Sequence, residues 1–155
     1  MRGKKAPKRK IKPDPKFSNM MIAKFTNCLM LDGKKSVAQA IVYDCFDFIT
    51  EKTKQDPLEV FDKAVKNITP SLEVKGRRIG GANYQVPVVV SGDRKMQLAF
   101  RWIIESIRKK KGKPTYLSLA NELMDAANNE GDAIKKKIDM HKMAEANKAF
   151  AHFAR

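Results

Sequence analysis

Residues 72–90 read LEVKGRRIGGANYQVPVVV, the one stretch of the chain with the composition of β-structure. On either side, the sequence follows helical spacing or is too charged to pack. Two short strands bury no adequate core of their own. The core must therefore be built helix against helix, with the strands attached to it. Runs 72–79 and 83–90 are joined by Gly80, Gly81 and Ala82, which signals a hairpin. Pro87 lacks an amide hydrogen and confines its strand to an edge. These features predict a mainly α, single domain of about six helices, with a protruding two-stranded β-hairpin between the third and fourth. The hairpin base is expected to pack through Leu72, Val88 and Val90. Its tip, with Lys75, Arg77, Arg78 and Tyr84, is expected to stay free.

Residues 1–16 carry eight basic side chains, one acid and three prolines, so they predict a basic arm that gains order only on a partner. The helical domain is expected over 17–155. Phe17, Met21, Phe25 and Cys28 form the first helical stripe, stopped at Asp32-Gly33. A second helix over 36–53 presents Val37, Ile41, Cys45 and Phe48, with Ala38, Val42 and Ile49 beside them. Asp56-Pro57-Leu58-Glu59 is a helix start, with Asp as cap and Pro in first position. The helix it opens buries Leu58, Phe61, Val65 and Ile68 and ends at Pro70. After the hairpin, 93–111 buries Met96, Phe100, Ile103 and Ile107. The next helix buries Leu117, Ala120, Met124 and Ala127 and closes at Asn129-Glu130-Gly131. The last, from about Asp132, has sparse apolar residues and is expected to lie at the periphery against a partner.

Charge narrows the function. There are 32 Lys and Arg against 17 Asp and Glu, a net +15. Such an excess repels itself when compact and calls for a polyanionic partner, with nucleic acid first. No apolar run has the length of a membrane span, and MRGKKAPKRK lacks the apolar segment of a secretory signal. No acid falls between Val74 and Gly92. A ribbon with basic and aromatic residues at its tip suits a phosphate backbone or an unstacked base. Arg94, Arg101 and Arg108 recur every seven residues, along about 21 Å of one helix side. Lys109, Lys110, Lys111 and Lys113 continue them, and Glu105 interrupts them. Lys34 and Lys35 stand before a helix, where their charge opposes its dipole and a phosphate would compensate. Trp102 reads as a core or rim residue more readily than as a stacking platform.

Catalytic and metal readings find no residues. Cys28 and Cys45 read as two reduced core thiols, and no Cys/His set has zinc spacing. Asp44 and Asp47 read as surface charges. His141 and His152 lack a nucleophile at a recognisable spacing, and Gly80-Gly81 lacks the Lys-Ser/Thr of a phosphate loop.

Six segments carry a resemblance: KRKIKPDPKF, LMLDGKKSVAQAIVYD, EVKGRRIGGANYQVPV, RWIIES, LANELMDAANNEG and HKMAEANKAFAHF. In this order and spacing the chain closely resembles the family of bacterial-type small-subunit ribosomal protein seven, from about Lys8 to Phe153. The resemblance implies a cytoplasmic ribosomal protein, not an enzyme. It also implies direct binding of small-subunit rRNA, nucleation of the subunit head, and a position beside exit-site tRNA and mRNA. Ribosomal proteins nine and eleven of the small subunit are the implied neighbours, with no cofactor and no membrane. Carried onto these positions, it places Lys4, Lys5, Lys8, Arg9, Lys10 and Lys12 of the arm on rRNA, with Lys34 and Lys35. The ribbon adds Lys75, and the charge pattern of the following helix adds Arg94, Lys95, Arg101, Arg108, Lys109, Lys110 and Lys113 as rRNA-binding candidates. Arg77, Arg78 and Tyr84, with Lys135 and Lys136, fall toward tRNA and message. The sequence departs from the family at VVVSGDRK, where relatives are more basic, and this makes contacts at 91–95 less secure. The chain also stops at Arg155, without the longer C-terminal tail of some relatives.

The competing expectation is a free DNA-binding regulator that places 93–111 in a major groove. It offers only Gln97 among cations to read base edges.

Overall fold

The computed structural model describes Gly3, Ala6, Pro7 and residues 10–154. Contacts divide the chain into two compact units, residues 1–40 and 41–155. Among the described residues there are six α-helices, one 3-10 helix and one hairpin. The expected fold class is the observed one.

In the first unit, Asp14 is buried and its carboxylate accepts from the amides of Lys16 and Phe17 at 3.1 and 3.2 Å. This turn lies inside the stretch read as an arm. Helix α1, Met20–Leu29, is capped by Asn19, whose side chain accepts from the Met21 amide. Its buried side is Ile22, Ala23, Phe25, Thr26 and Leu29. The stripe through Met21 and Cys28 was therefore misjudged by about a quarter turn, and Cys28 is exposed. Asp32 and Gly33 adopt positive φ, 51° and 72°, and turn the chain into α2, Lys35–Thr53.

Helix α2 buries Ala38, Val42, Cys45, Phe46 and Ile49, while Val37 is 53% exposed. The row read as flanking is the buried row. Helix α3, Pro57–Ile68, starts as its sequence dictates: Asp56 accepts from the Leu58 amide and proline occupies the first turn. Val60, Phe61, Ala64, Val65 and Ile68 are its buried face.

Strands β1, Leu72–Ile79, and β2, Ala82–Val89, pair antiparallel with Leu72 opposite Val89 and Ile79 opposite Ala82. Only Gly80 and Gly81 remain in the loop, with φ of 57° and 90°. A two-residue turn with both φ positive matches the twist of the strands, and glycine adopts it without strain. Side chains alternate across the ribbon. Tyr84, Val86 and Val88 share one face with Glu73, Lys75 and Arg77. Val86 and Val90 are buried, Leu72 and Val88 half-buried, and Val89 on the other face is 76% exposed.

Helix α4, Gly92–Lys109, buries Leu98, Phe100, Trp102, Ile103, Ile104 and Ile107, which places the tryptophan in the core. Helix α5, Thr115–Ala127, turns Leu119, Ala120, Leu123, Ala126 and Ala127 inward, with Leu117 and Met124 only half-buried. Helix α6, Asp132–Ala146, buries only Ala133, Ile134 and Ala144, and leaves Ile138 and Met143 exposed. Phe61 sits between Phe46 and Phe100, with ring centroids 5.8 and 6.4 Å away. Helix α3 packs on α4, α5 and α6, and α6 also packs on β1.

A buried acid ties α5 to α6. Glu122 is fully buried, and one carboxylate oxygen accepts from the Ala133 amide at 2.9 Å. The other takes the Lys110 ammonium at 2.6 Å. The acid thus supplies from α5 the side-chain cap that Gly131, at the start of α6, cannot give. Gly131, φ 95°, passes so close that a Cβ there would stand 3.1 Å from the carboxylate.

Candidate nucleic-acid interface

The residues singled out by charge separate into distinct structural roles. Lys4, Lys5, Lys8 and Arg9 lie outside the described residues. Lys10 and Lys12 are exposed, as are Lys34 and Lys35 where α2 begins. Lys12 and Lys35 line one cleft of about 280 Å³ with Pro13, Asp14, Thr26 and Gln39. The arm and the loop before α2 therefore present cations to a common space.

At the ribbon base the cations serve an acid of the protein. Glu73 is 5% exposed, and Arg94 reaches it from α4 through two nitrogens, at 3.1 and 3.2 Å. Lys75 bonds the same carboxylate at 3.0 Å. Burial raises the pKa of Glu73, but these hydrogen bonds and charges outweigh burial and hold it below the usual carboxylate value. Lys110 plays the same part for Glu122. Burial opposes its charge, and the bond to Glu122 overcomes this and raises its pKa. Each of these three cations stabilises a buried or nearly buried carboxylate.

The face of α4 keeps Arg101, Arg108 and Lys109 exposed, with Lys113 exposed in the following loop and Lys95 half-buried. Glu105, the acid that interrupts them, is bonded by Lys136 from α6. That pairing offsets its negative charge where the cations lie. Lys135 is exposed and stands 3.7 Å from Asp132. Lys137, which the charge pattern did not single out, donates to the Asn67 carbonyl at 2.6 Å.

The ribbon tip is partly covered, contrary to expectation. The 3-10 helix Lys148–Ala154 lies against β2. Tyr84 packs on Phe150 and Phe153, with ring centroids 5.2 and 5.4 Å apart. Arg77 donates to the Phe153 carbonyl at 2.9 Å. Arg77 and Arg78 both remain exposed, and Tyr84 is half-buried. Nothing in the helical periodicity announced this contact. A signal existed in KAFAHF, where two phenylalanines three apart flank a histidine.

Among the described residues no group of His, Cys, Asp or Glu could hold a metal ion, and no helix is long and apolar enough to cross a membrane. Each unit offers exposed cations, the first on the arm and at the start of α2, the second on the α4 face and the ribbon. Such groups can neutralise phosphates.

Residues 1–148 match the family described as ribosomal protein S7p/S5e. The chain is 58% identical over 153 residues to the small ribosomal subunit protein uS7 of Thermotoga maritima, covering 99% of each. It is 55% identical over 152 residues to the uS7 protein of Mycoplasmoides gallisepticum, covering 98% of each. With the Clostridium novyi uS7 protein it shares 57% over 147 residues, 95% of this chain and 94% of that one.

Proposed function

The chain belongs to the ribosomal protein S7p/S5e family, and from that premise we propose that it is a structural, rRNA-binding constituent of the small ribosomal subunit. In this reading it nucleates assembly of the subunit head. Its ribbon lies near exit-site tRNA and mRNA, and ribosomal proteins nine and eleven are its neighbours. The observation that carries the reading is the division of the cations. Arg94, Lys75 and Lys110 hold the chain's own buried acids, and Lys10, Lys12, Lys34, Lys35, Arg101, Lys109 and Lys113, like Lys75 itself, stand exposed. A net +15 presented by such groups is relieved by phosphates. The four arm cations outside the described residues join this set in the proposal, with Lys95 at its edge.

The duplex-DNA alternative fares worse. Helix α4 exposes Gln97 to read bases, but Arg94 one turn away is engaged by Glu73. The test is binding to folded small-subunit rRNA and to duplex DNA at matched salt. Preference for the RNA is expected, with affinity falling steeply as salt rises. Removing residues 1–12 should flatten that dependence, because fewer counterions are released. Preference for duplex DNA of defined sequence would overturn the proposal.

A further inference from the structure

The C-terminal segment brings together side chains that charge does not explain. In a 3-10 helix residues three apart eclipse one another, so Phe150 and Phe153 stand on one side. Their rings are within 15° of parallel, with centroids 6.4 Å apart. Tyr84 contacts both, and the His152 ring centroid lies 3.9 Å from that of Phe153. A cluster whose purpose was to exclude water would be covered. This one leaves Tyr84, Phe150 and Phe153 half-exposed and His152 exposed. Cations adjoin it: Arg77, on the ribbon face that carries Tyr84, pins the segment through the Phe153 carbonyl, and Lys148 opens the 3-10 helix, exposed. Glu145, the acid nearest in sequence, stands 3.5 Å from Lys148.

We propose that Tyr84, Phe150, His152 and Phe153 form a stacking platform for one unstacked base of single-stranded RNA. The proposal rests on the RNA-binding reading above and gives the C-terminal segment a role in it. Every base has a π-face, so such a platform tolerates sequence while requiring a base. Arg78, paired with Asn83 on the opposite face of the ribbon, lies outside the platform.

The probe is a short single-stranded RNA carrying one 2-aminopurine, compared with the same strand made abasic at that position, on the full-length protein at fixed salt. Wild-type protein is expected to quench the fluorophore and to bind the base-containing strand roughly tenfold more tightly than the abasic one. His152→Ala and Phe153→Leu should each remove most of that ratio without changing the salt dependence. Phe153→Trp should keep it. Arg78→Ala, on the opposite face of the ribbon, should keep the ratio. Amide exchange across β1 and β2 checks that the ribbon stays formed. If it loosens in Phe153→Leu, the exposed His152→Ala decides. Equal binding of both strands by the wild type, or an unchanged ratio in His152→Ala, would show a clasp that only holds the ribbon. Failure of the wild type to bind folded rRNA would instead strike the broader reading.

Discussion

Two groups of aromatic rings lie in opposite surroundings. Phe46, Phe61 and Phe100 are each no more than 2% exposed, whereas Tyr84, Phe150, His152 and Phe153 sit at the surface beside Arg77. Centroid spacings overlap, 5.8 and 6.4 Å inside against 3.9 to 6.4 Å outside. Ring contact by itself therefore does not tell a core from a binding surface. What separates them is the area taken from water and the charge nearby. The inner rings turn burial into stability, at about 25 cal/mol per Å² of apolar surface. The outer rings keep part of that area open for something else to cover.

The comparison breaks most visibly at Phe61. Phe61→Ala should cost about 3–5 kcal/mol in denaturant unfolding, because the cavity falls between two other rings. A loss below 1 kcal/mol would mean that the inner group is not the hub of the core. The second effect comes from Glu122, buried as deeply as Phe61 but held by bonds. Glu122→Gln should cost about 1–3 kcal/mol, since the Lys110 ammonium loses its charged partner. The sign with pH follows from the acid's lowered pKa. Burial raises it, but the bonds from Lys110 and the Ala133 amide prevail. Its contribution is therefore full above the ordinary glutamate value of 4.5 and is lost as pH falls through the lower folded value. In Glu122→Gln this acid-side loss should flatten in a urea series across pH.

A smaller effect is expected from the outer group. Phe150→Ala should cost about 0.5–1.5 kcal/mol, read mainly as faster amide exchange in β2 with little change in global unfolding. A loss as large as that of Phe61→Ala would erase the distinction between the two groups. The smallest effect is at His141, whose Nε2 accepts from the Ser71 amide at 3.3 Å at the ribbon base. Burial, and then the charge of Lys137, lowers its pKa below 6.5. A group lowered in this way favours the folded state while neutral. Stability should therefore decline as pH falls from 6.5 toward its folded value and level off below. His141→Gln should remove that decline.

The sequence was legible where a local rule sufficed. Asp56-Pro57 placed the start of α3, and Gly80-Gly81 placed the hairpin turn, because capping and positive φ depend on a few adjacent residues. The buried sides of α1 and α2 were offset. In each, two neighbouring rows are apolar, and only the surroundings choose between them. That Arg94 and Lys110 also hold Glu73 and Glu122 was not legible, because these acids lie 21 and 12 residues away. No helix or strand period connects them. The outer aromatic group joins residues in β2 with residues more than 60 positions later, and only the fold reveals it.

The position of Glu122 also bears on the order in which this protein is made. Synthesis delivers α5 before the amide of Ala133 exists. Until that residue arrives, the carboxylate lacks the amide that bonds one of its oxygens, and keeping it hydrated is less costly than sealing it in the interior. A chain truncated near residue 130 is therefore expected to leave that carboxylate in water, and one extended through Ala133 to bury it. Seating of α5 and docking of α6 are in this way coupled through one acid.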